Sequence, residues 1–154
     1  MGVVESYRLV VASLKSLVAE DMTPEQQELH KLAHSAYNEI VEKVAKNRST
    51  HPSTLDKLAS HENKWVVMKI ASNISTPTKT LDNLASQEDE HVVKNVAENK
   101  STSPNTLDGL ANHKSFIVVR GVAGNKNTPL PTLKTIAINH KNLRPIILKR
   151  LIKP

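Results

Sequence analysis

Apolar positions in this chain recur every 26 residues. Val44, Ile70, Val96 and Val122 share one phase, each followed by an alanine (Ala45, Ala71, Ala97, Ala123) and then by Asn47, Asn73, Asn99 or Asn125. Eight residues past each Asn stands Leu55, Leu81, Leu107 or Leu133, then Leu58, Leu84, Leu110 or Ile136, then Ala59, Ala85, Ala111 or Ala137. A period of this length marks a repeat architecture, in which one short unit buries its apolar face only by stacking on its neighbours.

The stretch from Asn73 to Asn99 serves as the unit. Ser75-Thr76-Pro77 predicts a helix start, with a hydroxyl accepting from the first helical N–H groups and Pro placed where no N–H is needed. Leu81, Leu84 and Ala85 form the inward stripe of a first helix, the polar run Gln87-Glu88-Asp89-Glu90 is the turn, and Val92, Val93, Val96 and Ala97 line a second helix. Asn99 closes it, and the left-handed conformation that Asn tolerates is the expected reason for the Asn ladder. Pro52, Pro77, Pro104, Pro129 and Pro131 recur in or beside the first helix and suggest that it is partly 3-10.

A weaker copy precedes these units, with Val18, Ala19, Leu29, Leu32, Ala33, Ile40 and Val41 in phase and Thr23-Pro24 as its cap. Before it, Val3, Val4, Tyr7, Val10, Val11, Leu14, Leu17 and Val18 fall on one helical face. The pattern predicts a single all-α repeat domain over residues 1–154, with a capping helix at 1–17 and about five two-helix repeats at 18–43, 44–69, 70–95, 96–121 and 122–154. The last repeat carries Leu143, Ile146, Ile147, Leu148, Leu151 and Ile152 with no further repeat to cover them. Either the neighbouring basic side chains fold over this face, or it pairs with a second copy. Lys149, Arg150 and Lys153 would repel their symmetry mates, so a weak homodimer through the C-terminal helix is expected to form as ionic strength rises.

Aromatics make up only 3% of the chain, leaving small aliphatic residues to pack thin layers. The absence of Cys rules out disulfides, thiolate metal sites and Cys nucleophiles. No secretory signal or apolar membrane span is visible, which makes a cytoplasmic location the expectation. The net charge of +6 is unevenly spread: the last acid is Asp108, after which come Lys114, Arg120, Lys126, Lys134, Lys141, Arg144, Lys149, Arg150 and Lys153. This basic third is the candidate binding surface, because such a field steers anionic partners; the competing reading is a polar cap that keeps a terminal repeat soluble.

Candidate chemistry is sparse. His30 and His34 stand at i, i+4, a spacing able to hold zinc given a third ligand, but without the Glu of His-Glu-x-x-His they are read as a solvated pair. The other five histidines do not fall in one common repeat phase. Trp65, whose equivalents are His91, Ile117 and Leu143, is read as packing at the edge of the core, although Trp is also enriched at binding hot spots. The Met1-Gly2-Val3-Val4-Glu5-Ser6 start matches a myristoylation pattern, read here as an ordinary second-position Gly. Asn47-Arg48-Ser49 and its copies match the glycosylation triplet because the Asn ladder generates it. No catalytic, metal or cofactor-binding residue is identified, so the chain is expected not to be an enzyme.

The ladder Asn-x-x-Thr-x-x-x-x-Leu-x-x-Leu-Ala, continued twelve residues on by Val-Ala-x-Asn, resembles the leucine-rich repeat variant family over about residues 18–150. Asn73 to Pro77, Leu81, Leu84-Ala85 and Val96-Ala97-Glu98-Asn99 carry the match. The resemblance implies a right-handed superhelical α-solenoid that alternates α and 3-10 helices. Some members show an Arg after the second-helix Val, where this chain has Val67, Val93 and Val119, and some carry an N-terminal iron–sulfur Cys cluster, which a chain without Cys cannot form. The expected function is a non-enzymatic scaffold or binding module that takes a protein or peptide along an extended surface. Nucleic-acid backbone binding through the basic third is one alternative and self-assembly another. No membrane partner is expected.

Overall fold

The computed structural model describes residues 21–152, so the expected capping helix over 1–17, Gly2 and Lys153 lie outside the described residues. Those residues form ten α-helices and one 3-10 turn, with no strand. In chain order the helices are α1 (Pro24–Leu32), α2 (Asn38–Lys46), α3 (Pro52–Leu58), α4 (Lys64–Ser72), α5 (Thr78–Leu84), α6 (Glu90–Glu98), α7 (Pro104–Leu110), α8 (Phe116–Gly124), α9 (Leu130–Asn139) and, after the 3-10 turn Lys141–Leu143, α10 (Arg144–Ile152). Odd-numbered helices are the first of each pair and even-numbered helices the second. The windows from residue 44 on begin inside a second helix, so every helix pair but the last straddles a window boundary.

The apolar stripes are buried as their spacing requires. Leu81 and Leu84 of α5 and Val92, Val93, Val96 and Ala97 of α6 are all buried, as are their copies at Leu55, Leu107, Leu133, Val44, Ile70 and Val122. They belong to one continuous hydrophobic cluster that runs from Ala33 to Ile147. Successive even-numbered helices pack closely on one another, α2 on α4, α4 on α6, α6 on α8 and α8 on α10, whereas successive odd-numbered helices keep farther apart.

Three sequence expectations are corrected. The first helices are α rather than partly 3-10; a 3-10 bond only tightens the ends, as where Ala59 N–H donates to Asp56 C=O. Proline at the first helical position, as at Pro52 and Pro104, removes no bond the helix needs and so imposes no tighter winding. The hydroxyl of Thr76 does not cap α5, whose N-cap is Pro77 with no side-chain cap. It turns back and donates to Ile70 C=O at 2.7 Å, and Thr50, Thr102 and Thr128 do the same to Val44, Val96 and Val122 at 2.6 Å. These threonines give a second donor to carbonyls at the end of each second helix, which also accept from the N–H of the Asn three residues on. Thr23, by contrast, does cap α1, in a capping box with Gln26.

The Asn ladder is the third correction. Asn47, Asn73, Asn99 and Asn125 are extended, with φ between −70° and −76°, and no described residue has positive φ. Each of the later three sends its side-chain amide back one unit: Asn99 Nδ2 donates to Ala71 C=O at 2.8 Å and Asn73 C=O at 2.9 Å. Asn73 reaches Ala45 and Asn47, and Asn125 reaches Ala97 and Asn99, in the same way. Their Oδ1 atoms accept from the backbone two residues on, as Asn99 does from Ser101 N–H. The ladder thus ties units together where left-handed capping would have served one helix alone.

A further ladder runs along the first helices, where Thr80, Thr106 and Thr132 donate to the carboxylates of Asp56, Asp82 and Asp108 one unit earlier. At its start, His30 takes the Asp place opposite Thr54, Nδ1 to Oγ1 at 2.7 Å. At its end, Lys134 stands in that phase.

Among the described helices α6 and α8 pack on one another most extensively, and the contact uses Gly121, where an added Cβ would lie 3.0 Å from Ala97 Cβ and 3.2 Å from Glu98 Cγ. At Gly124 a Cβ would meet nothing within 4 Å. Gly124→Ala should therefore stabilise by about 0.5–1 kcal/mol through helix propensity. Gly121→Val should destabilise by about 1–3 kcal/mol through overpacking. Urea midpoints of the two variants against the parent check both signs.

Candidate binding surface

The even-numbered helices bury one side and present the other. On α4 the outward positions are Trp65, Met68, Lys69 and Ser72; one unit on they are His91, Lys94, Asn95 and Glu98, and then Ile117, Arg120 and Gly124, while Gly121 is buried against α6. Trp65 is 61% exposed, which corrects its reading as core-edge packing. The physical reason is its phase. Val66 and Val67, the next two residues, already fill the inward positions, so the indole is turned off the core. Neighbouring positions are held in register, since Asn95 Nδ2 donates to Met68 C=O at 3.1 Å and Lys94 pairs with Glu98 at 2.9 Å. Farther along, Gly121 and Gly124 lack side chains where the preceding unit has Asn95 and Glu98. The hollow left there, about 260 Å³, is bordered by Glu98, Arg120, Asn125 and Ile146.

A polar crevice of about 480 Å³ opens at the turns between the paired helices, between His61, Glu62 and Lys64 on one side and Gln87, Glu88 and Asp89 on the other. Lys64 spans it toward Asp89 at 3.8 Å. The exposed ends of such a pair contribute little.

Eight of the nine cations of the last third are described, and they are spread over several elements. Lys114 lies in the turn before α8, Arg120 on the outward side of α8, Lys126 in the turn before α9, Lys134 on α9, and Lys141 in the 3-10 turn. Arg144, Lys149 and Arg150 are on α10. Two of them are engaged with backbone: Arg144 Nε donates to Ala137 C=O at 2.8 Å, and Arg150 Nη2 donates to Lys126 and Thr128 C=O at 2.8 and 2.7 Å. Arg150 thereby extends a rung that Asn127 makes one unit earlier to Lys100 and Thr102. Burial lowers the Arg150 pKa from its ordinary value.

His34 lies just past the end of α1, with its ring edge-on to His30 at 5.5 Å. No group of three or more His, Asp or Glu among the described residues is placed to hold a metal ion. Burial, and then the nearby Lys57, His34 and His51, lower the His30 pKa below 6.5. The unfolded chain thus takes up a proton at higher pH than the folded one, so stability present above the unfolded value is lost as pH falls through the folded value. Melting temperature should drop between about pH 7 and 5, and His30→Gln, which keeps an acceptor for Thr54, should flatten that drop. An unchanged slope in the variant would assign the acid sensitivity to another group.

Sequence reasoning missed the Thr–Asp ladder, although Thr54, Thr80, Thr106 and Thr132 repeat as strictly as the leucines. Among the described residues no helix is long and apolar enough to cross a membrane. No protein-family model matches the chain, and neither curated proteins nor solved structures show a significant match.

Proposed function

We propose that the chain is an α-solenoid of about five stacked helix pairs, similar in build to the leucine-rich repeat variant family, and that it is a non-enzymatic binding module. The even-numbered helices form its inner row, because closely spaced helices on one side and splayed helices on the other bend a stack toward the close side. A protein or peptide segment lies along that row, with Trp65 as an anchor toward one end and the Gly121–Gly124 hollow receiving a side chain toward the other. The observation that carries this reading is the exposure of Trp65 on the tightly packed row, since a large aromatic standing clear of the core is the residue type that dominates interface energetics. A cytoplasmic setting goes with this reading.

The test is photo-crosslinking in the native host, with a photoreactive phenylalanine analogue at position 65, at 120 or, as control, at Lys79 on the odd-numbered row. The same partner captured from 65 and 120 but not from 79 is the expected result. Capture from position 79 alone, or from none, contradicts it. A duplex-DNA titration at low and raised salt separates the phosphate reading, for which a steep salt slope would be required.

A further inference from the structure

The ladder along the first helices fixes which way each of its positions faces. Thr80, Thr106 and Thr132 donate to carboxylates one unit earlier, so the Thr phase faces the preceding helix pair and the phase of Asp56, Asp82 and Asp108 faces the following one. At the two ends of the described stack both phases change residue, and the replacements carry opposite charges. Glu28 stands in the Thr phase of α1, before which no helix is described. Lys134 stands in the Asp phase of α9, and no described pair follows the one to which α9 belongs. α9 itself keeps the register, since Thr132 still bonds Asp108 and Leu133 is buried like Leu107. Both side chains are exposed, and Glu28 meets only the likewise exposed Lys31 at 3.7 Å.

The apolar surfaces of the two ends are unfinished in the same sense. Leu29 of α1 and Ile40 of α2 are half-buried, whereas their copies Leu55 and Leu81, and Val66 and Val92, are fully buried. At the other end Leu130 of α9 and Leu148 and Leu151 of α10 line an apolar groove of about 250 Å³ and are each more than half exposed, with Lys134 and Arg144 on its rim. Residues 21–46 hold five carboxylates against three cations, and residues 130–152 hold five cations and no acid. Unlike ends therefore attract, while two C-terminal ends set Lys134, Arg144 and Lys149 against their own mates.

We propose that copies of this chain stack head to tail, the first helix pair of one copy on the last pair of another, with Glu28 of the first paired to Lys134 of the second. The contact continues the 26-residue stack from chain to chain and replaces the interior hydroxyl–carboxylate rung with an ion pair. It uses the stacked architecture proposed above and is independent of the inner row.

Sedimentation of the full chain across protein concentration and salt tests this. A heterologous contact leaves a free end of each kind, so oligomers should grow past the dimer as concentration rises, and salt should shrink them. Symmetric pairing of C-terminal ends would instead stop at the dimer and strengthen with salt. Glu28→Lys and Lys134→Glu should each weaken association at least about tenfold, because like charges then face each other. An equimolar mixture of the two variants should regain the parent's oligomers, since each end again meets its opposite, and Trp65→Ala should leave them unchanged. Both substituted positions are exposed, so helix content by circular dichroism should match the parent. Monomers at every concentration and salt, as follows if residues 1–17 cap the first pair within their own chain, overturn the proposal. So do association that stops at the dimer, a mixture no more associated than its components, or oligomers lost with Trp65→Ala.

Discussion

Replacing Asn99 with Ala should cost about 2–4 kcal/mol, a large loss for a side chain with no apolar surface to bury. The amide holds Ala71 C=O and Asn73 C=O of the preceding unit, and all three residues are buried or at a buried junction. With Ala at 99, two carbonyls lose their donor, Ser101 N–H loses its acceptor, and water cannot readily reach them. Asn47 provides the contrast, because its Oδ1 accepts from Ser49 N–H but no donation by its amide is seen among the described residues. Asn47→Ala should therefore cost about 1 kcal/mol or less. Chemical denaturation of both variants gives the comparison, and equal losses would mean that the inter-unit bonds contribute nothing beyond local capping.

Leu84→Ala is expected to cost about 2–5 kcal/mol. Leu84 is 2% exposed, and as one layer of a stack it touches its own second helix and the adjoining unit. Neighbours held in register by the Asn ladder cannot collapse far into the space vacated, which places the loss toward the upper part of that range. Leu110→Ala should behave similarly, being buried in the same phase one unit on. Leu130→Ala, at an exposed position of α9, should fall within about 0.5 kcal/mol of the parent. If Leu84→Ala melted like Leu130→Ala, the buried phase of the repeat would be wrong.

The helix pairs were legible because burial follows spacing: Leu81 with Leu84, and Val92, Val93, Val96 with Ala97, declare their inward sides in the sequence alone. What the polar members of the repeat do was not legible. Asn99 and Thr76 were read through local preferences, left-handed capping and N-capping, because those are the roles a residue can fill with its own neighbours, and Thr80 was not read at all. Their bonds go instead to a carbonyl 26 or 28 residues back, to one six back, and to a carboxylate 24 back. Only the stacked geometry brings those groups together. A signal was nonetheless present, since a polar residue kept at a fixed phase in every unit, as Thr54, Thr80, Thr106 and Thr132 are, repeats for a structural reason even when no local motif explains it.

The candidate surface divided in the same way. Net charge pointed to the basic last third as the candidate binding surface; the structure distributes Lys114, Arg120, Lys126 and Lys134 over turns and helices and turns Arg150 onto backbone carbonyls. Trp65 shares a phase with His91, Ile117 and the buried Leu143, and that mixed set led to its reading as packing at the edge of the core. The last pair, however, is wound one residue differently, burying Leu143 and Ile147 where α8 buries Val118 and Val122, so Leu143 was a poor guide to position 65.

The claim on which everything else rests is that units 26 residues apart are stacked and joined through the Asn side chains. Nuclear magnetic resonance of the Asn99 side-chain amide protons tests it most directly. The account predicts slow solvent exchange and strong proton–proton contacts from the Asn99 amide to Ala71 and Asn73, matched by Asn125 to Ala97 and Asn99. Fast exchange, with contacts confined to residues within one turn in sequence, would contradict it.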